Sequence, residues 1–107
     1  MKFAAFLAPL IPAAFAAECV RDGGCPGCGT VDSVSFSQSG STYTATSPSY
    51  GSMTMTDTTL SVKNTSNKWL LFCVYGSVCV PLGAGDSCST SRLSTDNPTL
   101  GLQVWSQ

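Results

Sequence analysis

The chain contains no histidine, and only 10% of its 107 residues are charged. Histidine is the commonest general acid–base group and the usual partner of a serine or cysteine nucleophile, so its absence argues against most hydrolases. A phosphate-binding loop is not expected either, since the glycines of residues 23–29 lack the preceding strand and following helix of such a site. We therefore predict a protein that is not an enzyme and that holds neither a cofactor nor a metal ion.

Positive charge is also scarce. Beyond Lys2, which belongs to the export signal described below, the basic residues are Arg21, Lys63, Lys68 and Arg92, and the acidic residues are Glu18, Asp22, Asp32, Asp57, Asp86 and Asp96. Nucleic-acid backbones bind clustered lysine and arginine, and membrane-disrupting peptides need a basic face. The charge balance argues against both, so solubility must come from serine and threonine, which make up roughly 30% of the chain after the signal.

Residues 1–16 have the features of a cleavable export signal. Lys2 precedes an apolar stretch, and Ala14-Phe15-Ala16 matches the small-x-small pattern that signal peptidase recognises. The stretch is shorter than the ~20 apolar residues of a membrane-spanning helix. We expect a mature chain that starts near Ala17 or Glu18, forms one disulfide-rich β domain over residues 17–107, is secreted to the extracellular space and does not insert into a membrane.

Six cysteines are the main source of stability that the sequence offers. They form two clusters of three, Cys19, Cys25 and Cys28 near the mature start and Cys73, Cys79 and Cys88 in the last third. Six cysteines allow fifteen pairings, and the sequence does not choose among them. Because each cluster holds an odd number, complete pairing requires one or three bridges between the clusters. Such a bridge closes a loop long enough to contribute roughly 4 kcal/mol in the chain-entropy model.

Cys25-Pro26-Gly27-Cys28 has the spacing of a redox-active motif. In such motifs a helix N-terminus lowers the pKa of one thiol. Here the motif is followed by Gly29, Thr30 and an alternating strand pattern, so we predict a structural bridge.

The apolar residues after this segment alternate with hydroxyl residues. Val34 and Phe36, Tyr43 and Ala45, Met53 and Met55, Leu60 and Val62, and finally Leu100, Leu102 and Val104 show this period of two. A period of two is typical of half-buried strands. Residues 69–75 are apolar on both faces, which is expected of a central strand, and Ser87 to Ser91 is expected to form a short edge strand. The pattern predicts a disulfide-stapled β-sandwich or barrel of about six short antiparallel strands.

The hairpin after residues 69–75 has two alternative registers. A two-residue turn at Gly76-Ser77 sets Cys73 and Cys79 on opposite faces of the sheet, whereas a three-residue turn sets them directly opposite each other. We prefer the first, which gives both sulfurs other partners.

Several side chains are candidates for binding or chemistry. The rings of Tyr43, Tyr50, Trp69, Tyr75 and Trp105 could stack on sugars. We expect Trp69, Phe72 and Tyr75 to be core residues and Trp105 to be the exposed ring. Asp86 and Asp96 are the least implausible carboxylate pair for hydrolysis. Asn64-Thr65-Ser66 is a glycosylation sequon, which suits a surface turn.

The alanine-rich signal ending at Ala16, the even number of cysteines and the small hydroxyl-rich body together resemble the small secreted cysteine-rich proteins of filamentous fungi. Many of these are candidate effectors that act on a plant host, so the resemblance implies a role in virulence. We accordingly expect a non-enzymatic interaction protein whose loops, residues 47–51 and 83–86, contact a host or cell-surface protein. The alternatives are a carbohydrate-binding or cell-wall-associated protein, with a polysaccharide as partner, and a small hydrolase or thiol oxidoreductase.

Overall fold

In the computed structural model, which describes residues 17–107, the chain folds into two antiparallel β-sheets. The strands of this region are β1 (Gly29–Val34), β2 (Ser37–Ser39), β3 (Thr42–Ser47), β4 (Gly51–Met55), β5 (Thr59–Asn64), β6 (Leu70–Val74), β7 (Val78–Leu82), β8 (Ser87–Ser91) and β9 (Leu102–Ser106). The strand order is β1-β9-β6-β7 in the four-stranded sheet and β2-β3-β4-β5-β8 in the five-stranded sheet. The predicted all-β, sandwich-like fold is confirmed, with nine strands in the described region where about six were expected. The predicted signal, residues 1–16, lies outside the described residues.

The core lies between the two sheets. The alternating apolar residues of both sheets point into it and are buried, among them Met53, Met55, Leu60, Val62, Leu70, Phe72, Val74, Val80, Leu102 and Val104. On β4 and β5 the intervening positions are mostly serine and threonine, which face outward because successive side chains of a strand alternate between faces. Within residues 17–107 no helix is long and apolar enough to cross a membrane.

The chain changes sheets around Ser35 and Phe36. The alternation of Val34 and Phe36 predicts one strand, but β1 ends at Val34 and pairs with β9, whereas β2 begins at Ser37 and pairs with β3. Phe36 lies between the two strands and packs against the core. Both halves keep the period of two, so the alternation alone does not reveal the crossing.

The hairpin between β6 and β7 adopts the register that the sequence analysis did not prefer. Val74 is paired with Val78 and Cys73 with Cys79, which leaves three residues in the turn. The Ser77 N–H donates to the Val74 carbonyl (3.0 Å), and Gly76 has a φ of +74°. A positive φ at the third position of a turn favours glycine. The preferred two-residue turn is therefore wrong, because Gly76 occupies the middle of the turn instead of its first position.

Three disulfides join all six cysteines: Cys19–Cys88, Cys25–Cys28 and Cys73–Cys79. One bridge connects the two clusters, as the parity argument requires. The Cα atoms of Cys73 and Cys79 are 4.1 Å apart, which suits a pair directly opposite each other on neighbouring strands. The expectation that these two sulfurs have other partners is wrong, because it depended on the two-residue turn.

The N-terminal segment, residues 17–23, covers one edge of each sheet. On β8, the Ser89 N–H donates to the Ala17 carbonyl (2.9 Å) and the Cys19 N–H donates to the Ser89 carbonyl (3.2 Å). On β7, the Cys79 N–H donates to the Arg21 carbonyl (2.9 Å) and the Gly23 N–H donates to the Cys79 carbonyl (2.8 Å). The segment therefore connects the two layers along one side of the sandwich, and the Cys19–Cys88 bridge fixes it there.

From Gly23 the chain crosses the outer face of the four-stranded sheet to reach β1 at the opposite edge. A Cβ atom added to Gly23 would lie 2.5 Å from Cδ of Pro81 and 3.1 Å from Cδ1 of Leu71, so only glycine permits this approach. The crossing buries Leu71 on the outer face, while Leu70 and Phe72 are buried by the core. The prediction of a strand buried on both faces is thus confirmed for all five residues of β6.

Candidate functional site

The aromatic rings are distributed differently from the sequence prediction. Phe72 is fully buried, as expected, but Trp69 is 42% exposed and Tyr75 is 68% exposed. These two residues flank β6 on either side, and the core covers only the strand itself, so their assignment to the core is wrong. Trp105, the predicted exposed ring, is half-buried on β9. Tyr43 and Tyr50 are partly buried against the core.

An aromatic cleft lies on the outer face of the four-stranded sheet. It has a volume of about 260 Å³, and its lining residues are Cys25, Leu71, Cys73, Val74, Tyr75, Gly76, Cys79, Gln103 and Trp105. The sheet register explains why these residues meet, because Trp105 lies opposite Leu71 and Gln103 lies opposite Cys73. Trp105 and Gln103 therefore follow one another along β9, and Tyr75 lies beyond them at the end of β6. We call this site the outer-face cleft.

The outer-face cleft has no charged lining residue, and its polar side chains are Gln103 and Tyr75. The Nε1 atom of Trp105 is buried and has no hydrogen-bond partner among the described residues. The indole therefore contributes its ring to the cleft, while the amide of Gln103 and the hydroxyl of Tyr75 are the side-chain groups that offer hydrogen bonds there. Such a site is suited to a neutral, largely apolar ligand group.

The Cys25–Cys28 bridge closes a tight turn beside the cleft. The Cys28 N–H donates to the Cys25 carbonyl (3.0 Å), Pro26 occupies the second position, and Gly27 has a φ of +82° at the third. Proline and glycine at these positions are typical of a type II turn. The next element is β1, which begins at Gly29, so no helix N-terminus faces either sulfur. The geometry supports the structural interpretation of this bridge.

A second groove, on the outer face of the five-stranded sheet, has a different lining. Its volume is about 330 Å³, and its lining includes Ser52, Thr54, Ser61, Lys63, Ser87 and Ser89. The Oγ atoms of Ser61 and Ser89 lie 3.3 Å apart across β5 and β8. This groove offers hydroxyl groups and no aromatic ring, so it lacks the large apolar anchor that dominates most recognition sites. Substitutions in this groove can therefore serve as controls for substitutions in the outer-face cleft.

The two loops that the sequence analysis proposed for recognition lie on either side of the β5–β6 connection. The Thr65 N–H donates to the Tyr50 carbonyl in the first loop, and the Asn64 N–H donates to the Asp86 carbonyl in the second, both at 2.9 Å. Trp69 follows in the same connection, and the Lys68 ammonium lies 5.9 Å from the centre of the Tyr50 ring. We call this second surface, residues 47–51, 64–69 and 83–86, the loop end.

Asn64 does not occupy the surface position that the sequon suggested. It is fully buried, and its Nδ2 atom donates to the carbonyls of Lys68 (2.8 Å) and Leu82 (3.0 Å). Its Oδ1 atom accepts from the backbone N–H (2.9 Å) and the hydroxyl (2.7 Å) of Ser66. Because Nδ2 uses both of its hydrogens, a glycan on this atom is incompatible with the fold. The expectation of a surface sequon is therefore wrong.

Asp86 and Asp96 lie beyond opposite ends of β7. Asp86 is in the turn that follows the strand, whereas Asp96 accepts from the hydroxyl of Ser77, just before it (2.8 Å). Five strand residues span about 17 Å. The two carboxylates are thus not brought to one cleft.

Asp96 instead forms an ion pair with Arg21 of the N-terminal segment, and its own carboxylate is buried. Its Oδ1 lies 2.5 Å from the guanidinium of Arg21, and its Oδ2 accepts from the Leu93 N–H (2.9 Å). Burial raises the pKa of Asp96, but the hydrogen bonds from Arg21, Leu93 and Ser77 and the charge of Arg21 bring it below the ordinary value. The carboxylate is therefore ionised at neutral pH and serves to anchor residues 17–23.

No protein family, no curated protein and no solved structure matches this chain.

Proposed function

We propose that the protein is a secreted, non-enzymatic interaction protein, effector-like in character, that presents a rigid β scaffold to a host or cell-surface partner. Three disulfides and the absence of a membrane-spanning helix among the described residues are consistent with secretion. The observation that carries the proposal is the exposed ring of Tyr75 at an uncharged cleft. Tyrosine and tryptophan are enriched among residues that dominate binding energies.

The scaffold around the cleft supports this role. The Cys73–Cys79 bridge forms part of its floor, and the Cys25–Cys28 turn supplies one wall. A site held by covalent bonds loses little conformational entropy on binding, which favours affinity. The loop end offers a second exposed ring, Trp69, on a connection that is held by hydrogen bonds of Asn64 and not by a disulfide.

Two matched variants test the proposal and separate the two surfaces. Fluorescently labelled protein would be titrated onto plant cell walls and plasma-membrane vesicles, with and without prior protease treatment of these surfaces. We expect saturable binding that protease removes, that Tyr75→Ser weakens by roughly tenfold or more, and that Trp69→Ser leaves unchanged. Loss of binding in the Trp69→Ser variant alone would place the binding site at the loop end. The absence of saturable binding to either preparation would contradict the proposal.

Carbohydrate binding is the second candidate, because the cleft combines two aromatic rings with an amide. Tyrosine and tryptophan rings can stack on sugar faces, and Gln103 can hydrogen-bond a hydroxyl. Pull-down on chitin, glucan and cellulose tests this candidate. Retention that survives protease treatment of the matrix and is lost in Tyr75→Ser would favour it over a protein partner.

A further inference from the structure

We infer that the outer-face cleft binds a proline-rich segment of a partner protein in the polyproline II conformation. The inference rests on the proposed function and specifies the partner for the same site. The cleft's spacing, its hydrogen-bonding groups and its lack of charge each point to this ligand class.

The spacing of the two rings fits an extended proline-rich segment. Trp105 lies opposite Leu71, and Tyr75 follows Leu71 by four residues, which corresponds to about 13 Å along the strand direction. A polyproline II helix rises about 3.1 Å per residue, so about four residues reach from one ring to the other. Proline-rich segments are recognised in this way by other domains, whose grooves are lined by aromatic rings.

The hydrogen-bonding groups of the cleft suit a ligand that presents acceptors. Gln103 lies between the two rings, and its amide nitrogen can donate, as can the hydroxyl of Tyr75. Proline has a carbonyl but no N–H, and the carbonyls of a polyproline II segment have no internal partner. The two donors of the cleft can therefore pair with carbonyl groups that the ligand leaves without a hydrogen-bond partner.

A sugar chain is a poorer match for the same groups. Each sugar ring carries several hydroxyl groups that both donate and accept, and a polar group that is buried without a partner weakens binding. The lining includes no carboxylate and no asparagine, and the Trp105 nitrogen is itself buried. The remaining lining includes Leu71, glycine and disulfide sulfur, none of which carries a charge, and this favours contact with the apolar pyrrolidine ring.

The absence of charge in the cleft also favours neutral peptides over charged ones. A basic or acidic peptide would lose hydration of its charges without gaining a partner there. Oligoproline is neutral, and its stiff backbone is already extended before binding, so little conformational entropy is lost.

Tryptophan fluorescence gives a direct test, because the chain has only two tryptophans. The Trp69→Phe variant leaves Trp105 as the one emitting indole, and Trp105 lines the cleft. The probe is an acetylated, amidated oligoproline about ten residues long, which forms a polyproline II helix. The controls are an alanine–serine peptide of equal length and cello- and chito-oligosaccharides.

We expect oligoproline to change the Trp105 emission saturably, and the alanine–serine peptide to have no effect. Adding Tyr75→Ser should weaken oligoproline binding by roughly tenfold, whereas adding Thr54→Ala on the other sheet should not change it. Because Tyr75 is exposed, its variant should keep the unfolding midpoint of the parent, which separates lost binding from lost folding.

Three results would overturn the inference: no saturable change up to about 1 mM oligoproline, equal binding by the Tyr75→Ser variant, or a response to the oligosaccharides alone. The last result would favour the carbohydrate function. Protease-sensitive binding to cell surfaces that depends on Tyr75, without oligoproline binding, would leave the proposed function standing and remove only this ligand class.

Discussion

Removal of the Cys19–Cys88 bridge tests how the fold is stabilised. The bridge closes a loop with a sequence separation of 69, whereas Cys73–Cys79 closes one of 6. The chain-entropy relation gives about 4.4 kcal/mol for the long loop and about 2.4 kcal/mol for the short one. Because a domain of this size is typically stable by about 5–15 kcal/mol, loss of the long bridge removes a large fraction of its stability.

The comparison uses paired alanine variants, Cys19→Ala with Cys88→Ala against Cys73→Ala with Cys79→Ala. Guanidinium unfolding followed by tryptophan fluorescence gives the free energy of unfolding of each. We expect the first pair to cost about 2 kcal/mol more than the second and to show a larger m-value, because its unfolded chain is less constrained. Equal costs, or a larger cost for the short loop, would refute the loop-closure reasoning and indicate that local packing around the sulfurs decides stability.

Three further predictions concern single buried contacts. Replacing Asp96 with asparagine should cost about 3 kcal/mol at pH 7, since it leaves the charge of Arg21 without its partner; chemical unfolding at several pH values measures this. Because the folded-state pKa of Asp96 is lowered, the advantage of the wild type is full above the ordinary value of 3.8 and disappears as the pH falls through the lowered one. Asn64 should carry no glycan when the protein is expressed through a eukaryotic secretory pathway and folds, and Asn64→Ala should cost about 1–3 kcal/mol by leaving two carbonyls without donors; intact mass and thermal unfolding report on these. Gly51→Ala should prevent stable folding, because the added Cβ would collide with the Lys63 carbonyl and the Phe72 ring, as circular dichroism would show.

Each of these has its own control or contrary result. An Asp96→Asn cost that persists unchanged in strong acid would assign the effect to packing instead of charge. A mass increase of the protein from such an expression host that a glycosidase removes would contradict the burial of Asn64. Gly24→Ala is the control for Gly51→Ala, since no atom lies within 4 Å of the added Cβ and Gly24 has a negative φ.

The strands were predictable because their alternation is strong, but the registers and crossings depend on single residues. In the β6–β7 hairpin, moving Gly76 by one position in the turn shifts the register by one residue and brings Cys73 and Cys79 onto one face. Local sequence favours glycine in either turn, so the correct register follows only from the bridge that it permits. The cysteine pairing and the turn type therefore had to be predicted together.

The candidate site was less predictable than the fold. Aromaticity alone placed Tyr75 in the core, because the sequence does not show that the buried strand ends at Val74. The cleft also depends on a chain crossing over the outer face, for which Gly23 and Gly24 were the only signal. Small residues permit close backbone approach, but glycines beside cysteines are equally common in exposed turns. The surface position expected of Asn64 was wrong, because a sequon shows only which sequence a glycosyltransferase accepts. It does not show that the folded chain uses the amide of Asn64 for its own hydrogen bonds.

The placement of residues 17–23 has a consequence for the order of events during synthesis. This stretch is synthesised before the strands that it joins, β7 and β8, which follow some 60 to 70 residues later. The partner of Cys19 is therefore made late, whereas Cys25 and Cys28 are only three residues apart and can join each other early. Early closure of that small ring removes the two nearest competitors and keeps Cys19 available for Cys88.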